Sequence, residues 1–498
     1  MLPPLVFYNY ILTLLGKKSI CNVNKNIIFS RSLLVLDFVR FRENITEKWR
    51  SDLKIAFLTL GCKVNSYETE KMKKAFEEAG HMIVAFDEKA DAYIVNTCTV
   101  TNIADRKSRK MLHRAKRMNP EAVVVAAGCY VDSSEKKGER DESVDLFISN
   151  KDKEKLVEMV CDELKKRGLE DRLMPEHGEC KMSQAALDEE HTRAYIKVQN
   201  GCNQYCTYCI IPFVRGELHS RTVEDVVSET KKLADRGFQE VVITGIHVSS
   251  YGVDKGKAGS FLELEGEPLL ELLEAISEVE GIERIRLSSL EPRIITEKFV
   301  KRLSAIKKVC PHFHLSLQSG CDAVLKRMNR HYTTKDYTDG LKILRKYYDN
   351  PAVTTDIIVG FPQETEEEFV ETCEFAKQVE FAQIHVFKYS RRQGTIADKM
   401  EGQITESIKS ERSDRLLAIE RELEISYQKE AVKDTEEVLI EEISEIDGKK
   451  YLTGYNERYI RIAIPAEKEE DVLSRCNTIA TVRILGHLND LVVIGEFC

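Results

Sequence analysis

No segment of this 498-residue chain is long and apolar enough to cross a bilayer. The nearest approach, residues 2–15 (LPPLVFYNYILTLL), falls short of the ~20 apolar residues that a spanning helix needs. It also lacks a basic region ahead of it and a small-residue cleavage site after it, the marks of a secretory leader. Neither a membrane partner nor export is therefore expected, with an N-terminal anchor as the alternative reading of this run. Residues 1–50 read as an N-terminal extension outside the fold, of the kind left by a start codon assigned too far upstream. An excess of positive charge is missing too: 74 Lys and Arg stand against 83 Asp and Glu, a formal net charge of −9. Bulk electrostatics gives no argument for a nucleic-acid partner, which would have to be met by local basic patches. Internal repeats and low-complexity segments are absent as well. Without a leader, the 14 cysteines do not read as a disulfide scaffold. They fit a reducing cytoplasm and metal-bound thiolates.

What is present is the composition of a folded protein, 42% hydrophobic and 32% charged. The length implies about two to four domains. From residue 54 onward apolar runs alternate with amphipathic stretches. KIAFLTLG (54–61), AYIVN (92–96), AVVVAAG (122–128) and DLFISN (145–150) predict strands, and residues 66–79, 102–118 and 152–167 predict helices. That alternation implies a parallel sheet covered on both faces. Residues 168–192 are polar, contain Pro175 and Gly178, and read as a linker. A second series follows, with strands at 194–198, 240–245, 284–288, 312–317, 353–359 and 384–389 and helices in every interval. Six such units predict a partial (β/α)6 barrel, short of the eight units of a complete one. Residues 405–432 form a long charged helix. The remainder turns to short strands at 437–442, 451–465, 479–485 and 491–497, the rhythm of a small antiparallel β-barrel. The chain is thus expected to be α/β, with domains at 53–167, 193–432 and 433–498.

Cys202, Cys206 and Cys209 stand on one short stretch, GCNQYCTYC, directly after the first strand of the second series. Three thiolates so spaced can hold three irons of a 4Fe-4S cluster and leave the fourth open to a ligand. A closed zinc site would need a fourth ligand and paired knuckles, and none is nearby. An aromatic residue, Tyr208, precedes the last cysteine and is a candidate for cofactor contact. Cys62, Cys98 and Cys129 are related by topology instead: each follows the C-terminal end of a predicted strand. In a parallel sheet those ends form one crest, where such folds place ligands. Buried inert thiols are the alternative, but three of them would not be expected to share this one position. Gly61 and Gly128, each just before a cysteine, suit tight turns there. Cys21, Cys161, Cys180, Cys310, Cys321, Cys373, Cys476 and Cys498 share neither spacing nor topology and read as inert.

On these residues the chain resembles the methylthiotransferases, a radical S-adenosylmethionine (SAM) family with an N-terminal cluster domain, a central radical domain and a C-terminal TRAM domain. The resemblance covers residues 54–498 and is carried by TLGCKVNSYETEKM (59–72), NTCTVTNIADRKSR (96–109), GCY (128–130) and GCNQYCTYCIIPFVRG (201–216). LSSLEP (287–292), LSLQSGCDAVLKRMNR (315–330), DIIVGFPQETEEEF (356–369) and FKYSRRQGT (387–395) extend it. GCKVN with NTCTVTN resembles the MtaB type, which acts on N6-threonylcarbamoyladenosine next to the anticodon of tRNA; isopentenyladenosine enzymes more typically carry GCQMN there and ribosomal-protein enzymes GCPKN. The resemblance implies two 4Fe-4S clusters. Cys202, Cys206 and Cys209 would hold the one that binds SAM and cleaves it to a 5'-deoxyadenosyl radical, while Cys62, Cys98 and Cys129 would hold one carrying the sulfur to be transferred, which a second SAM methylates. An external electron donor and a sulfur source are implied partners. Thr244, Gly245, Ser288, Ser289 and Gln318, at the ends of predicted barrel strands, are candidates for SAM contact, with capping and turn formation as the alternative for each. Methylthiolation of isopentenyladenosine or of a ribosomal-protein aspartate stays open, as does a non-catalytic iron–sulfur RNA-binding protein.

For RNA, Arg106, Lys107, Arg109, Lys110, Arg114, Lys116 and Arg117 make an acid-free basic run just beyond Cys98, and Lys388, Arg391 and Arg392 a second patch. Such patches supply affinity without sequence information. Residues 431–498 hold 8 Lys and Arg against 14 Asp and Glu, a net of −6, so only a local face with Tyr455, Arg458, Tyr459 and Arg461 could meet RNA there.

Overall fold

A computed structural model describes residues 53–138, 141–168, 192–255, 264–466 and 475–498, all within one unit, Leu53–Cys498. The extension at 1–50, most of the 168–192 linker, Cys21 and Cys180 lie outside the described residues.

The first layer runs β1 (Lys54–Thr59), α1 (Lys63–Glu78), β2 (Met82–Val84), β3 (Ala92–Thr97), α2 (Asn102–Met118), β4 (Val123–Gly128), α3 (Cys129–Lys137), β5 (Leu146–Ile148) and α4 (Leu156–Lys166). Every pair in its sheet, order β2-β1-β3-β4-β5, is parallel. β3 and β4 are buried at every position, which is why they read as unbroken apolar runs rather than alternating ones. One face packs Ile55, Ile94 and Val125 on Phe76 of α1 and Val160 of α4; the other packs Tyr93, Val95 and Val124 on Leu112 and Ala115 of α2. β2 escaped the sequence reading because three residues are too few to show a period. α1 starts at Lys63 rather than 66, because Cys62 itself takes the extended N-cap backbone (φ −98°, ψ 172°).

The second layer comprises β6 (Arg193–Asn200), α5 (Ile211–Arg215), β7 (His219–Ser220), α6 (Val223–Asp235), β8 (Glu240–Gly245), α7 (Glu267–Ser277), β9 (Arg284–Leu287), α8 (Glu297–Leu303), β10 (His312–His314), α9 (Asp322–Arg327), α10 (Thr334–Tyr347), β11 (Ala352–Val359), α11 (Glu366–Val379), β12 (Gln383–Lys388) and α12 (Glu406–Ala431). Its sheets β7-β6-β8-β9 and β10-β11-β12 are joined by parallel bridges Ile285–Val309 and Leu290–Leu315, giving six parallel strands in one curved wall. The strand read over 312–317 is regular only to His314. Beyond it the Leu317 N–H donates to the Thr355 hydroxyl (2.9 Å) and Gln318 adopts φ +71°. Ile196, Ile243, Ile285 and Phe313 pack outward under the helices, so by the two-residue period the alternate positions, Arg193, Glu240, Arg286, His314, Asp356 and His385, share the inner face.

The C-terminal strands β13 (Thr435–Ile446), β14 (Lys449–Tyr455), β15 (Arg461–Pro465), β16 (Ile479–Asn489) and β17 (Val492–Phe497) close a five-stranded barrel. Four of its seams are antiparallel; the fifth, β15 with β17, is parallel, a departure from the wholly antiparallel expectation. The turn between β14 and β15 enters the base of the central barrel. Arg284 donates to the carbonyls of Tyr455 (3.3 Å) and Glu437 (2.7 Å), and Arg286, paired with Glu240 (2.7 Å), donates to the Asn456 and Glu457 carbonyls (3.3 and 2.9 Å). Tyr459 stacks between His312 and Tyr455, with Arg193 and Arg286 over its ring. Arg458 donates to the carbonyls of Asp349 (2.9 Å) and Asn350 (3.1 Å). Tyr455, Arg458 and Tyr459 therefore join two domains and do not form the RNA face expected of them. Arg461 stays half-buried, bonded to Ser444 (2.9 Å).

Half-buried Glu424 on α12 has its carboxyl pushed by burial, and then by the charge of Glu420, from the ordinary 4.5 up to about 7. The native state holds this proton more tightly than the unfolded chain does, so the associated stability is complete below about pH 4 and is lost as pH rises through 7. Glu424→Gln is expected to raise the unfolding temperature at pH 8 and to change it little at pH 4. Thermal unfolding at the two pH values checks this; an equal shift at both would assign the effect to something other than the proton.

Candidate active site

Cys62, Cys98 and Cys129 lie together on the crest of the first sheet. Cys62 caps α1, Cys129 opens α3, and the charges of both act on the Cys98 thiol. Two of the three thus sit at helix N-termini, whose positive ends favour thiolate. Burial nevertheless pushes the Cys98 thiol up to about 11, so an anionic form there needs a bound cation. Gly61 (φ +108°) and Gly128 (φ +95°) take left-handed backbone, and a β-carbon on Gly61 would stand 2.8 Å from Cys98 Cβ and 3.1 Å from its Sγ. Asn65 Nδ2 ties the crest by donating to the Leu60 and Thr97 carbonyls (2.6 and 3.0 Å), and Asn150 Nδ2 donates to Cys129 Sγ (3.5 Å).

Cys202, Cys206 and Cys209 lie on the loop between β6 and α5. Their charges act on one another, Arg330 donates to Cys206 Sγ (3.2 Å), and burial raises the Cys202 thiol to about 11 and that of Cys209 further. The loop is pinned by Thr207 N–H on the Met328 carbonyl (3.0 Å). The two sets meet: Cys129 packs against Ile210 and Val214, immediately beyond Cys209.

The sequence reading missed what joins them. Glu68 on α1 accepts from Lys153 (2.5 Å), Lys197 (2.8 Å) and Arg215 (2.9 Å), and Arg215 also donates to Asn65 (2.6 Å) and Asn200 (3.1 Å). These cations hold the Glu68 carboxyl well below the ordinary carboxylate range against the opposing effect of burial. Arg215 stands inside the quoted GCNQYCTYCIIPFVRG motif, but nothing in the spacing shows that its partner lies 147 residues away. On the far side, Arg392 is buried and donates to Asp105 (2.8 Å), Thr99 (2.6 Å) and Asn102 (2.8 Å). The first domain thus bridges β6 and the segment after β12, which do not pair with each other. Arg392 is a clamp between domains rather than the RNA contact read from the sequence. Glu68→Ala leaves Arg215 and Lys153 buried beside the cysteines without their carboxylate. A loss of about 3–5 kcal/mol is expected in urea unfolding; a change under ~1 kcal/mol would show that the hub does not hold the domains together.

Of the strand-end candidates, Thr244 and Ser288 are buried, and Ser288 Oγ has no hydrogen-bond partner among the described residues, as is also true of Gln204 Nε2. Gly245 packs on Gln199: a β-carbon there would meet Gln199 Oε1 at 2.9 Å and its Cβ at 3.2 Å, so a side chain would displace Gln199. Gln318 is buried and bridges to Ile357; Ser289 is exposed. Tyr208 packs edge-on against Phe361, which gives it a structural duty. On α2, Arg106, Lys107, Lys110, Arg114 and Arg117 are exposed and Arg109 half so, whereas Lys116 is paired with Asp145 (3.2 Å). Lys388 is exposed, and Arg391 pairs with Asp398 (2.6 Å) at the surface.

A six-stranded parallel barrel with three thiols on the loop after its first strand defines the radical SAM class. Residues 196–376 match the Radical SAM superfamily, and residues 54–149 match the family described as Uncharacterized protein family UPF0004. The chain is 40% identical over 440 residues to the threonylcarbamoyladenosine tRNA methylthiotransferase MtaB of Bacillus subtilis, covering 86% of this chain and 93% of that one. It is 35% identical to the MtaB of Thermotoga maritima (86% and 93% covered) and 34% identical to the tRNA-2-methylthio-N(6)-dimethylallyladenosine synthase of Pelotomaculum thermopropionicum (78% and 86%). The chain belongs to the tRNA methylthiotransferases of the MtaB type, radical SAM enzymes that use an iron–sulfur centre and act on tRNA. Among the described residues no helix is long and apolar enough to cross a membrane.

Proposed function

We propose that the protein methylthiolates carbon 2 of N6-threonylcarbamoyladenosine at position 37 of tRNA, beside the anticodon, giving 2-methylthio-N6-threonylcarbamoyladenosine. The observation that carries this reading is the meeting of two cysteine triads across the contact of Cys129 with Ile210 and Val214. The acceptor follows the relatives named for threonylcarbamoyladenosine, which reach 40% identity against 34% for those named for dimethylallyladenosine.

Residues 53–167, 193–432 and 433–498 are taken as the cluster, radical SAM and TRAM-like domains, the first two joined by a linker at 168–192. Cys202, Cys206 and Cys209 would hold one 4Fe-4S cluster, and Cys62, Cys98 and Cys129 a second. Thiol donors in threes, with no carboxylate among them, suit iron–sulfur ligation. Bound there, the clusters and SAM would supply one-electron cleavage of SAM and the sulfur and methyl to be transferred. The protein's own groups do the rest. Arg330 donates to a thiolate of the first set, and Arg215 and Lys153 place positive charge beside the second. Ser288, Thr244, Gly245 and Gln318 at the strand ends, with Gln204 on the cysteine loop, would meet the polar groups of SAM, the unpartnered Ser288 hydroxyl being the most direct support. Arg106, Lys107, Arg109, Lys110 and Arg114 on α2, with Lys388 and Arg391, attract the RNA backbone. An external electron donor and sulfur source, and a cytoplasmic setting, go with this reading.

The test is nucleoside mass spectrometry of tRNA from cells with and without the gene. The 2-methylthio form of threonylcarbamoyladenosine should vanish with the gene. Loss of the isopentenyl counterpart instead would move the acceptor, and no change in either would remove the reading.

A further inference from the structure

The inner face of the central barrel carries a second group of ligand-type side chains, which shares no residue with either cysteine set. His314, Asp356 and His385 stand on the adjacent parallel strands β10, β11 and β12, Asp356 on the middle strand in register with His385. The two imidazoles lie nearly parallel, their planes 23° and their ring centroids 5.7 Å apart. One atom from each residue, an imidazole nitrogen or a carboxylate oxygen, lies within 4.8 Å of the other two.

Hydrogen bonding does not account for this arrangement. His314 Nδ1 bonds to the Thr354 hydroxyl (3.0 Å). Its Nε2 is buried and has no hydrogen-bond partner among the described residues, although Asp356 Oδ2 is only 3.2 Å away, because that oxygen lies off the direction of a ring N–H. A hydrogen on Nδ1, donated to Thr354, leaves Nε2 as a bare lone pair beside a carboxylate, two electron-rich atoms in contact with nothing positive between them. Two ligands of one ion stand in this way: donor atoms ~2.1 Å from a tetrahedral or octahedral centre are ~3.0–3.4 Å from each other. The Thr354 hydroxyl is then the outer partner that fixes the tautomer and the ring of a ligating histidine. No hydrogen bond reaches the Asp356 carboxylate or the His385 ring among the described residues, and the exposed His385 ring leaves an ion a route in.

We infer that His314, Asp356 and His385 bind one divalent first-row transition-metal ion, in a site of two histidines and one carboxylate with positions left open to oxygen ligands. Imidazole with carboxylate suits zinc, iron(II) or manganese, whereas calcium and magnesium take oxygen alone. Two cations of the same inner face are already matched by carboxylates, Arg286 by Glu240 (2.7 Å) and Arg193 by Glu441 (2.8 Å), which limits their repulsion of an ion. Three protein ligands leave at least one position to water or to an oxygen of a molecule that enters the barrel. The ion also ties three strands of the wall together, β10 to β12. The competing occupant is a proton on Nε2, which would make His314 and Asp356 a simple ion pair. The inference does not depend on which nucleoside is the acceptor.

The test uses full-length protein with its iron–sulfur centres assembled, incubated anaerobically with zinc, freed of excess by gel filtration and analysed for bound zinc, iron and sulfide. Wild type should hold about one zinc per chain more than His314→Gln, Asp356→Asn or His385→Gln, with iron and sulfide equal in all four. Comparing variants at equal iron separates this site from zinc taken up by cysteines. Thr354→Val should keep the site but weaken its hold on zinc by ~10- to 100-fold in competition with a chelator, as loss of an outer partner does. His385 is exposed, so His385→Gln should fold even where a change at the more buried His314 does not. Equal zinc in wild type and His385→Gln, including none in either, would overturn the inference and leave His314 and Asp356 as a proton-sharing pair.

Discussion

Protein with alanine at Cys202, Cys206 and Cys209 is expected to release no 5'-deoxyadenosine from SAM and to make no methylthiolated RNA, in an anaerobic assay with a chemical reductant. The three thiols share one short loop, and the groups bonded beside them, Arg330 on Cys206 and Tyr332 on Arg330, are a cation and a phenol, which do not replace a thiolate. Without thiolates no cluster can hold SAM there. The fold should survive, because the loop is pinned through Thr207 and by Arg215 to Glu68 rather than through the cysteine side chains. Circular dichroism and tRNA binding should therefore match wild type. Continued release of 5'-deoxyadenosine would show that the cleaving centre lies elsewhere.

Alanine at Cys62, Cys98 and Cys129 should produce a different defect. None of these thiols belongs to the Cys202 loop, so iron content should fall to about four atoms per chain from about eight, and SAM should still be cleaved. No methylthio nucleoside should form, a loss to below detection by mass spectrometry. The variant separates the two chemical roles because the triads sit on different domains, joined by packing at Cys129, by the Glu68 hub and by the Arg392 clamp rather than by a shared cysteine. Loss of SAM cleavage in this variant would mean that the sets are not independent. Retention of product would mean that the crest holds no sulfur donor.

The elements could be anticipated wherever the signal is local. α2 runs over Asn102–Met118, the bounds its period predicts, and Thr101 caps it with its side chain on the Ala104 N–H. β8 and β4 lie where their apolar runs lie. The convergence of Cys62, Cys98 and Cys129 was legible for a related reason. In a parallel sheet, the end of a strand is a place in space as well as in sequence, so three strand ends imply one crest. Cys310, Cys321 and Cys373 are buried, as inert thiols would be.

Charge was not legible in this way. Arg106 and Arg392 are the same residue type in similarly basic stretches, yet one is exposed on α2 and the other is buried against Asp105, which lies beside Arg106 in the chain. Arg458 and Tyr459 have the composition of an RNA face and instead hold the C-terminal barrel to the central one. Periodicity, caps and spacing are set by geometry over a few residues, and the sequence by itself determined those. Whether a charged side chain is solvated or paired depends on which groups stand within ~4 Å of it. Tertiary packing alone decided that, because the carboxylates that pair with Arg215 and Arg392, those of Glu68 and Asp105, come from another domain.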